Sequence, residues 1–224
     1  MAMLISYEHK FAFIHVPKTG GSSIRRVLIP FAVDPLTMLE NRLLNMVGIH
    51  VNHFGPYQRK WLRGHDSALT LCQNLPAPVF QDLFKFAFVR NPWDVLVSLY
   101  HFIPTRPKHR YREKVARMSF DEFVHEWVGR VNQSHMVCDQ NGNLLVDYVG
   151  RFERLGDDFD EVLKHIDIEA SLGHFNRSKH KDYRQYYSDQ LAEYVAAQLS
   201  EDITRFGYSF DGHLQDIQYP SRAA

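Results

Sequence analysis

Cysteine is nearly absent from this 224-residue chain. Cys72 and Cys138 are the only two, and their spacing gives neither a disulfide framework nor a paired-thiolate zinc cluster. Such sparse use suits a reducing compartment, with both thiols expected to be buried. An excess of charge of one sign is missing too. Lys plus Arg number 26, as do Asp plus Glu, and the formal net charge is zero. No overall basic field therefore recruits nucleic acid, an anionic membrane or a polyanionic glycan, and any anion site has to be local. No apolar run is long enough to span a bilayer, and the first residues lack the basic region and small-residue cleavage site of a secretory leader. A cytoplasmic protein without membrane insertion is the expectation. With 45% hydrophobic and 23% charged residues, the chain has the composition and length of a single domain over residues 1–224.

Buried strands and helices alternate along the chain. Phe11-Ala12-Phe13-Ile14-His15-Val16 is rich in strand formers and is broken by Pro17 and Gly20-Gly21. From Ser22 onward, Ile24, Val27 and Leu28 have helical spacing, with Ser22 or Ser23 placed to cap. Helices are expected over 36–47 and from Asp66 to Leu75, with an irregular stretch rich in His, Tyr and Trp between them. Lys85 to Val89 reads as a second buried strand, and Asn91-Pro92 opens a helix that runs to about Phe102. Ser119 and Glu122 form a capping box ahead of Phe123 and Trp127. Asn141-Gly142, between Met136-Val137 and Leu144-Leu145-Val146, looks like a hairpin turn, followed by a third strand over 145–152. Helical patterns from Asp158 to Ile166 and from Ser188 to Phe206 close the chain, with Gly207 as a left-handed stop. Such alternation indicates an α/β fold around a mainly parallel central sheet.

Two segments carry chemistry. Pro17-Lys18-Thr19-Gly20-Gly21-Ser22-Ser23 lies between a strand and a helix, where glycines let backbone N–H groups converge and the helix start adds positive potential. Lys18 brings a full charge, and Thr19, Ser22 and Ser23 bring hydroxyls. A plain strand–helix turn is the blander alternative. A triphosphate-binding loop would place lysine after the last glycine, next to a magnesium-binding Ser or Thr. Here the lysine precedes the glycines, and the chain contains no Gly-Lys dipeptide and no spaced-glycine dinucleotide fingerprint. In the second segment, Arg90-Asn91-Pro92-Trp93-Asp94-Val95-Leu96-Val97-Ser98, an arginine ends a strand and a serine follows about two helical turns on. Both can meet one phosphate monoester. The competing reading pairs Arg90 with Asp94 and turns Ser98 to solvent.

Together, Pro-Lys-Thr-Gly-Gly-Ser-Ser and the later Arg-Asn-Pro…Ser resemble the sulfotransferases that use 3′-phosphoadenosine-5′-phosphosulfate (PAPS), in particular the branch containing the carbohydrate O-sulfotransferases. Tyr148 to Glu153 with Asp158-Phe159, Asn176-Arg177-Ser178, Tyr183, Tyr186-Tyr187, and Asp202-Ile203 through Phe206-Gly207-Tyr208 also look like family segments. The resemblance implies a P-loop-like three-layer α/β fold with helices flanking the sheet. It also implies that Lys18, Thr19, Gly20, Gly21, Ser22 and Ser23 hold the 5′-phosphosulfate and that Arg90 and Ser98 hold the 3′-phosphate, with Ser178 and Lys181 near the nucleotide. PAPS would be the co-substrate and adenosine 3′,5′-bisphosphate (PAP) its product, with no metal. The acceptor would be a hydroxyl on a small molecule or carbohydrate.

Transfer to a hydroxyl needs a proton acceptor, and neutral histidine suits that role. Thirteen histidines are present. Arg63-Gly64-His65 resembles the Gly-His element that carries the family's base, which singles out His65, although Arg63 stands where some relatives have a second histidine. His15 and His101 adjoin the two motifs as candidates for packing or hydrogen-bonding. His50-x-x-His53 lacks a third ligand and reads as a loop feature. Arg106 to Arg117 carries Arg110, Arg112, Lys108 and Lys114, either a grip for an anionic acceptor or a solvated basic face. The rival functions are an ATP-dependent metabolite kinase and a non-catalytic adenosine-bisphosphate-binding module.

Overall fold

A computed structural model of the chain describes residues 2–32, 43, 46, 47, 62–173 and 181–217. Most of the expected 36–47 helix, His50-x-x-His53 and Ser178 lie outside the described residues. Four strands form one sheet in the order β1 (Leu4–Ser6), β2 (Phe11–Ile14), β3 (Phe84–Val89) and β4 (Tyr148–Arg151). β1 is antiparallel to β2, and the β2–β3 and β3–β4 pairings are parallel. β1 went unforeseen because three residues are too few for an alternation to register. The helices are α1 (Gly21–Ala32), α2 (Ala68–Asn74), α3 (Ala77–Asp82), α4 (Pro92–Phe102), α5 (Arg112–Val115), α6 (Phe120–Trp127), α7 (Ser134–Val137), α8 (Leu155–His165), α9 (Asp189–Gln198) and α10 (Ser200–Phe206).

The pleat sorts the strand residues into two unlike faces. Phe11, Phe13, Phe86 and Phe88 pack with Ile24 and Leu28 of α1 and Phe159, Val162 and Leu163 of α8. Ala12, Ile14, Ala87 and Val89 face the other way, toward Ala68 and Leu71 of α2 and Phe206 of α10. Each fully buried Phe contributes roughly 1.5–3 kcal/mol, so the aromatic face anchors α1 and α8. Across the β2–β3 register Phe13 stands opposite Phe86 with the rings stacked 5.2 Å apart. Gly150 is required where β4 passes Phe88, since a Cβ there would come within 2.4 Å of the ring. The result is an α/β fold of sheet and flanking helices. A third cluster, Trp93, Leu96, Phe123, Trp127, Leu191 and Val195, ties α4, α6 and α9 together beside it.

Several expectations are corrected. Helix α1 starts at Gly21, so Ser22 and Ser23 lie in its first turn rather than at the cap. Met136 and Val137 belong to the helical turn α7, and the hairpin reduces to one isolated bridge between Cys138 and Leu144 around Gly142. Asp202 on α10 explains this, because its carboxylate accepts from the backbone N–H groups of Gln133 and Ser134 at 2.6 and 2.8 Å and holds that turn coiled. The expected 188–206 helix is two helices broken at Leu199. Cys138 is buried, whereas Cys72 is only half-buried. The capping box at Ser119 and Glu122, and the Gly207 stop at φ 64°, are as expected.

Candidate anion site at the strand ends

Parallel neighbours deliver their C-terminal ends to the same edge of a sheet, where α/β folds bind ligands. β2 therefore hands over the 15–23 segment, and β3 the 90–98 segment, side by side although they are 72 residues apart in sequence. The contact is direct: Arg90 Nη1 donates to the Lys18 carbonyl at 3.2 Å.

In the first segment the backbone is bent in two places. Lys18 adopts φ 68° and Gly20 φ 81°. A side chain at Gly20 would be strained by that angle and would also meet Leu155 at 2.6 Å. Thr19 is buried, and its hydroxyl donates to the Val16 carbonyl at 2.9 Å. That hydrogen is thus spent on closing the loop, whereas Ser22 is exposed and Ser23 half-buried. The Lys18 ammonium lies over the Phe102 ring, 3.8 Å from its centroid, and Arg106 lies over the same ring at 4.3 Å. Burial, with Arg90 and Arg106 adding repulsion, pulls the Lys18 pKa down to about 8. Lys18 and Arg106 over one ring, with Arg90 close enough to repel Lys18, make a local positive field in a chain with no net charge.

In the second segment Asn91 caps α4 by accepting from Trp93 N–H at 3.1 Å, and Pro92 occupies the first turn as its fixed φ allows. Arg90 is buried and forms a two-pronged ion pair with Asp94, Nε at 2.8 Å and Nη2 at 2.7 Å. The Asp94 pairing held open from sequence is present, while Ser98, contrary to that same reading, is buried rather than turned to solvent. The Arg90 guanidinium also stacks on Phe152 at 4.1 Å. Its backbone is clamped by Gln133, whose Oε1 accepts from Arg90 N–H at 2.9 Å and whose Nε2 donates to Arg90 C=O at 2.7 Å. Glu153, whose carboxyl pKa is pushed up by desolvation, accepts from Asn91 N–H at 2.8 Å and from the Tyr208 hydroxyl at 3.0 Å. Asn91 Nδ2 further donates to Ser209 C=O at 3.0 Å. Sequence reasoning missed this scaffold of Gln133, Asp202 and Glu153, because nothing in the local pattern couples residues 43 to 69 positions apart.

His65 sits beside the first segment. Its Nδ1 lies 2.9 Å from the His15 carbonyl. A carbonyl can only accept, so Nδ1 carries the hydrogen and Nε2 is left with a lone pair. The His65 ring is exposed and lies 4.4 Å from the His15 ring. His15 itself is buried under Gly21. Burial first, then the charges of His65 and Arg25, drive its pKa to about 3. His101 bonds the Tyr186 hydroxyl at 2.8 Å. Lys181 is exposed just ahead of the helical turn Tyr183–Tyr186. In the 106–117 stretch, Arg112 pairs with Glu113 and Lys114 with Glu126, which leaves Arg106 as the member stacked beside Lys18.

The sulfotransferase family model matches residues 1–209, nearly the whole chain. The chain belongs to the sulfotransferase family. Family membership supports a transferase that moves sulfuryl groups. Among other similar proteins, an uncharacterized protein of Archaeoglobus fulgidus is 29% identical over 111 residues, 48% of this chain and 88% of that one. The crystal structure of mouse sulfotransferase SULT7A1 complexed with PAP aligns with 89% of this sulfotransferase and 85% of its own chain, at 13% identity and a TM-score of 0.43. No helix among the described residues is long and apolar enough to cross a membrane.

Proposed function

We propose that this sulfotransferase transfers the sulfuryl group of PAPS to a hydroxyl of a carbohydrate or small-molecule acceptor, with His65 as general base. The reading rests on one observation above the others: the Arg90–Lys18 contact joins the two anion motifs into a single site, with His65 at its edge. The residues fit a phosphosulfate. Gly20 and Gly21 let the loop pack closely against Leu155 and His15, where a Cβ would clash, and the start of α1 that follows favours an anion.

Lys18 through Ser23 take the 5′-phosphosulfate in this proposal, with Thr19 acting through loop closure and Ser22 and Ser23 through their hydroxyls. Arg90 and Ser98 take the 3′-phosphate, and Ser178 and Lys181 lie near the nucleotide. Lys18 neutralises charge that grows on the 5′-phosphate oxygen as the S–O bond breaks. His65 Nε2 accepts the proton of the acceptor hydroxyl while its oxygen bonds to sulfur, and the pair from the broken bond stays on the phosphate. Positioning and charge stabilisation then supply most of the rate, as in phosphoryl transfer.

Calorimetric titration of the purified protein with PAP, with 5′-AMP and with ATP plus magnesium tests the donor. Binding that needs the 3′-phosphate is expected. Preference for ATP with magnesium, or no nucleotide binding, would overturn the assignment.

A further inference from the structure

His15 lies between the phosphate cradle and the base, in a setting that packing alone does not explain. Its ring stacks on Phe13 at 5.5 Å and approaches His65 to 4.4 Å. It is also pressed against the start of α1: a Cβ on Gly21 would fall 2.1 Å from His15 Cδ2 and 2.2 Å from Nε2. The Cδ2–Nε2 edge thus faces the Gly21 backbone at the start of the helix. On the far side of the ring, Nδ1 is buried without a hydrogen-bond partner. Such groups are rare in native proteins. A bare lone pair is the less costly way to leave a buried atom unpaired, since orphaned N–H groups are the rarer kind. That places the ring hydrogen on Nε2, on the cradle side.

Resting on the donor reading above, we propose that His15 is a further catalytic residue, whose Nε2–H donates to an oxygen of the sulfuryl group as it passes from the 5′-phosphate to the acceptor. The ring stays neutral near pH 7, because its pKa lies at about 3. It acts as a fixed dipole and gives up no proton. A neutral donor in a buried site stabilises developing charge without the desolvation cost of a second imidazolium beside His65. His15 also serves through its carbonyl, which orients His65; the ring contact is separate from that role and separately removable.

PAPS carries the sulfuryl group and PAP lacks it, so comparing the two ligands isolates the contact without knowing the acceptor. Calorimetry on wild type, His15→Phe and His15→Gln is the experiment. In His15→Phe, PAP affinity should stay within about twofold while PAPS binding weakens about tenfold or more, as for a hydrogen bond to a charged group. His15→Gln, which returns an N–H donor, should recover most of the loss. An unchanged PAPS-to-PAP ratio in His15→Phe would overturn the proposal, as would an equal loss for both ligands, which marks a packing role. Long-range proton–nitrogen NMR on the wild type decides the matter if the variant fails to fold. A protonated Nε2 that shifts with PAPS and not with PAP supports the contact, and an unprotonated or unresponsive Nε2 refutes it. Failure of the wild type to bind PAP at all would instead bring down the donor reading, and this inference with it.

Discussion

Gly21→Ala opposes two effects whose signs can be separated. Gly21 begins α1, and alanine is the better helix former by about 1 kcal/mol. Propensity alone therefore predicts a more stable protein. The surroundings predict the reverse. The added Cβ would lie 2.1 Å from His15 Cδ2 and 3.0 Å from Cγ, 1.3 Å short of the 3.4 Å at which ordinary contact begins. The ring is rigid, buried and backed by Phe13, so either it or the helix start has to move. Overpacking of this kind costs about 1–3 kcal/mol. For a chain of this length each kcal/mol shifts the melting temperature by about 2–4 °C, which gives a fall of about 2–12 °C before the propensity gain is subtracted. The moved helix start should also weaken PAP binding. Gly156→Ala is the control, because it lies in the first turn of α8 and a Cβ there meets nothing within 4 Å; it should melt at or above the wild-type temperature. A Gly21→Ala protein that melts like the control and binds PAP unchanged would refute the packing of His15 under the loop.

His65→Ala should cut transfer by about 10²–10⁴-fold, the usual worth of a general base, while PAP affinity stays near the wild-type value; steady-state turnover with calorimetry checks both. Lys18 titrates well below the ordinary lysine value, so its charge is lost as pH rises through about 8. PAP affinity should therefore fall above pH 8, with proton uptake on binding at higher pH, and a Lys18→Met protein should lose that dependence; an affinity flat from pH 7 to 10 would refute it. Asp202→Ala strips the acceptor from the N–H groups of Gln133 and Ser134 and from the Ser134 hydroxyl. At about 1–3 kcal/mol per unsatisfied buried group, it should lower the melting temperature more than Gly21→Ala does and weaken PAP binding through the Gln133 clamp on Arg90.

The residues made much of this protein readable before any coordinates. Phe-Ala-Phe-Ile and Phe-Ala-Phe-Val could only be strands buried on both faces, and Gly-Gly after Pro-Lys-Thr required a turn that leads into a helix start. Asn91-Pro92 and Ser119 with Glu122 set helix starts that the backbone adopts. These signals are local, each decided by sterics or hydrogen bonds within a few residues. Register and partner choice are not local. Whether Arg90 would meet Lys18, and which of thirteen histidines would stand beside the Lys18 loop, depended on β2 and β3 pairing in parallel and ending at one edge. The same holds for Thr19, which turns inward to Val16, and for His15, whose ring is trapped between Phe13, Gly21 and His65. Met136 and Val137 coil instead of extending because a carboxylate from α10 reaches their turn, some seventy residues away in sequence. The sequence by itself determined most of the elements and the residue types available to bind an anion. Only the tertiary structure decided which of them converge, since desolvation and charge repulsion arise between groups that the fold, and not the chain order, makes neighbours.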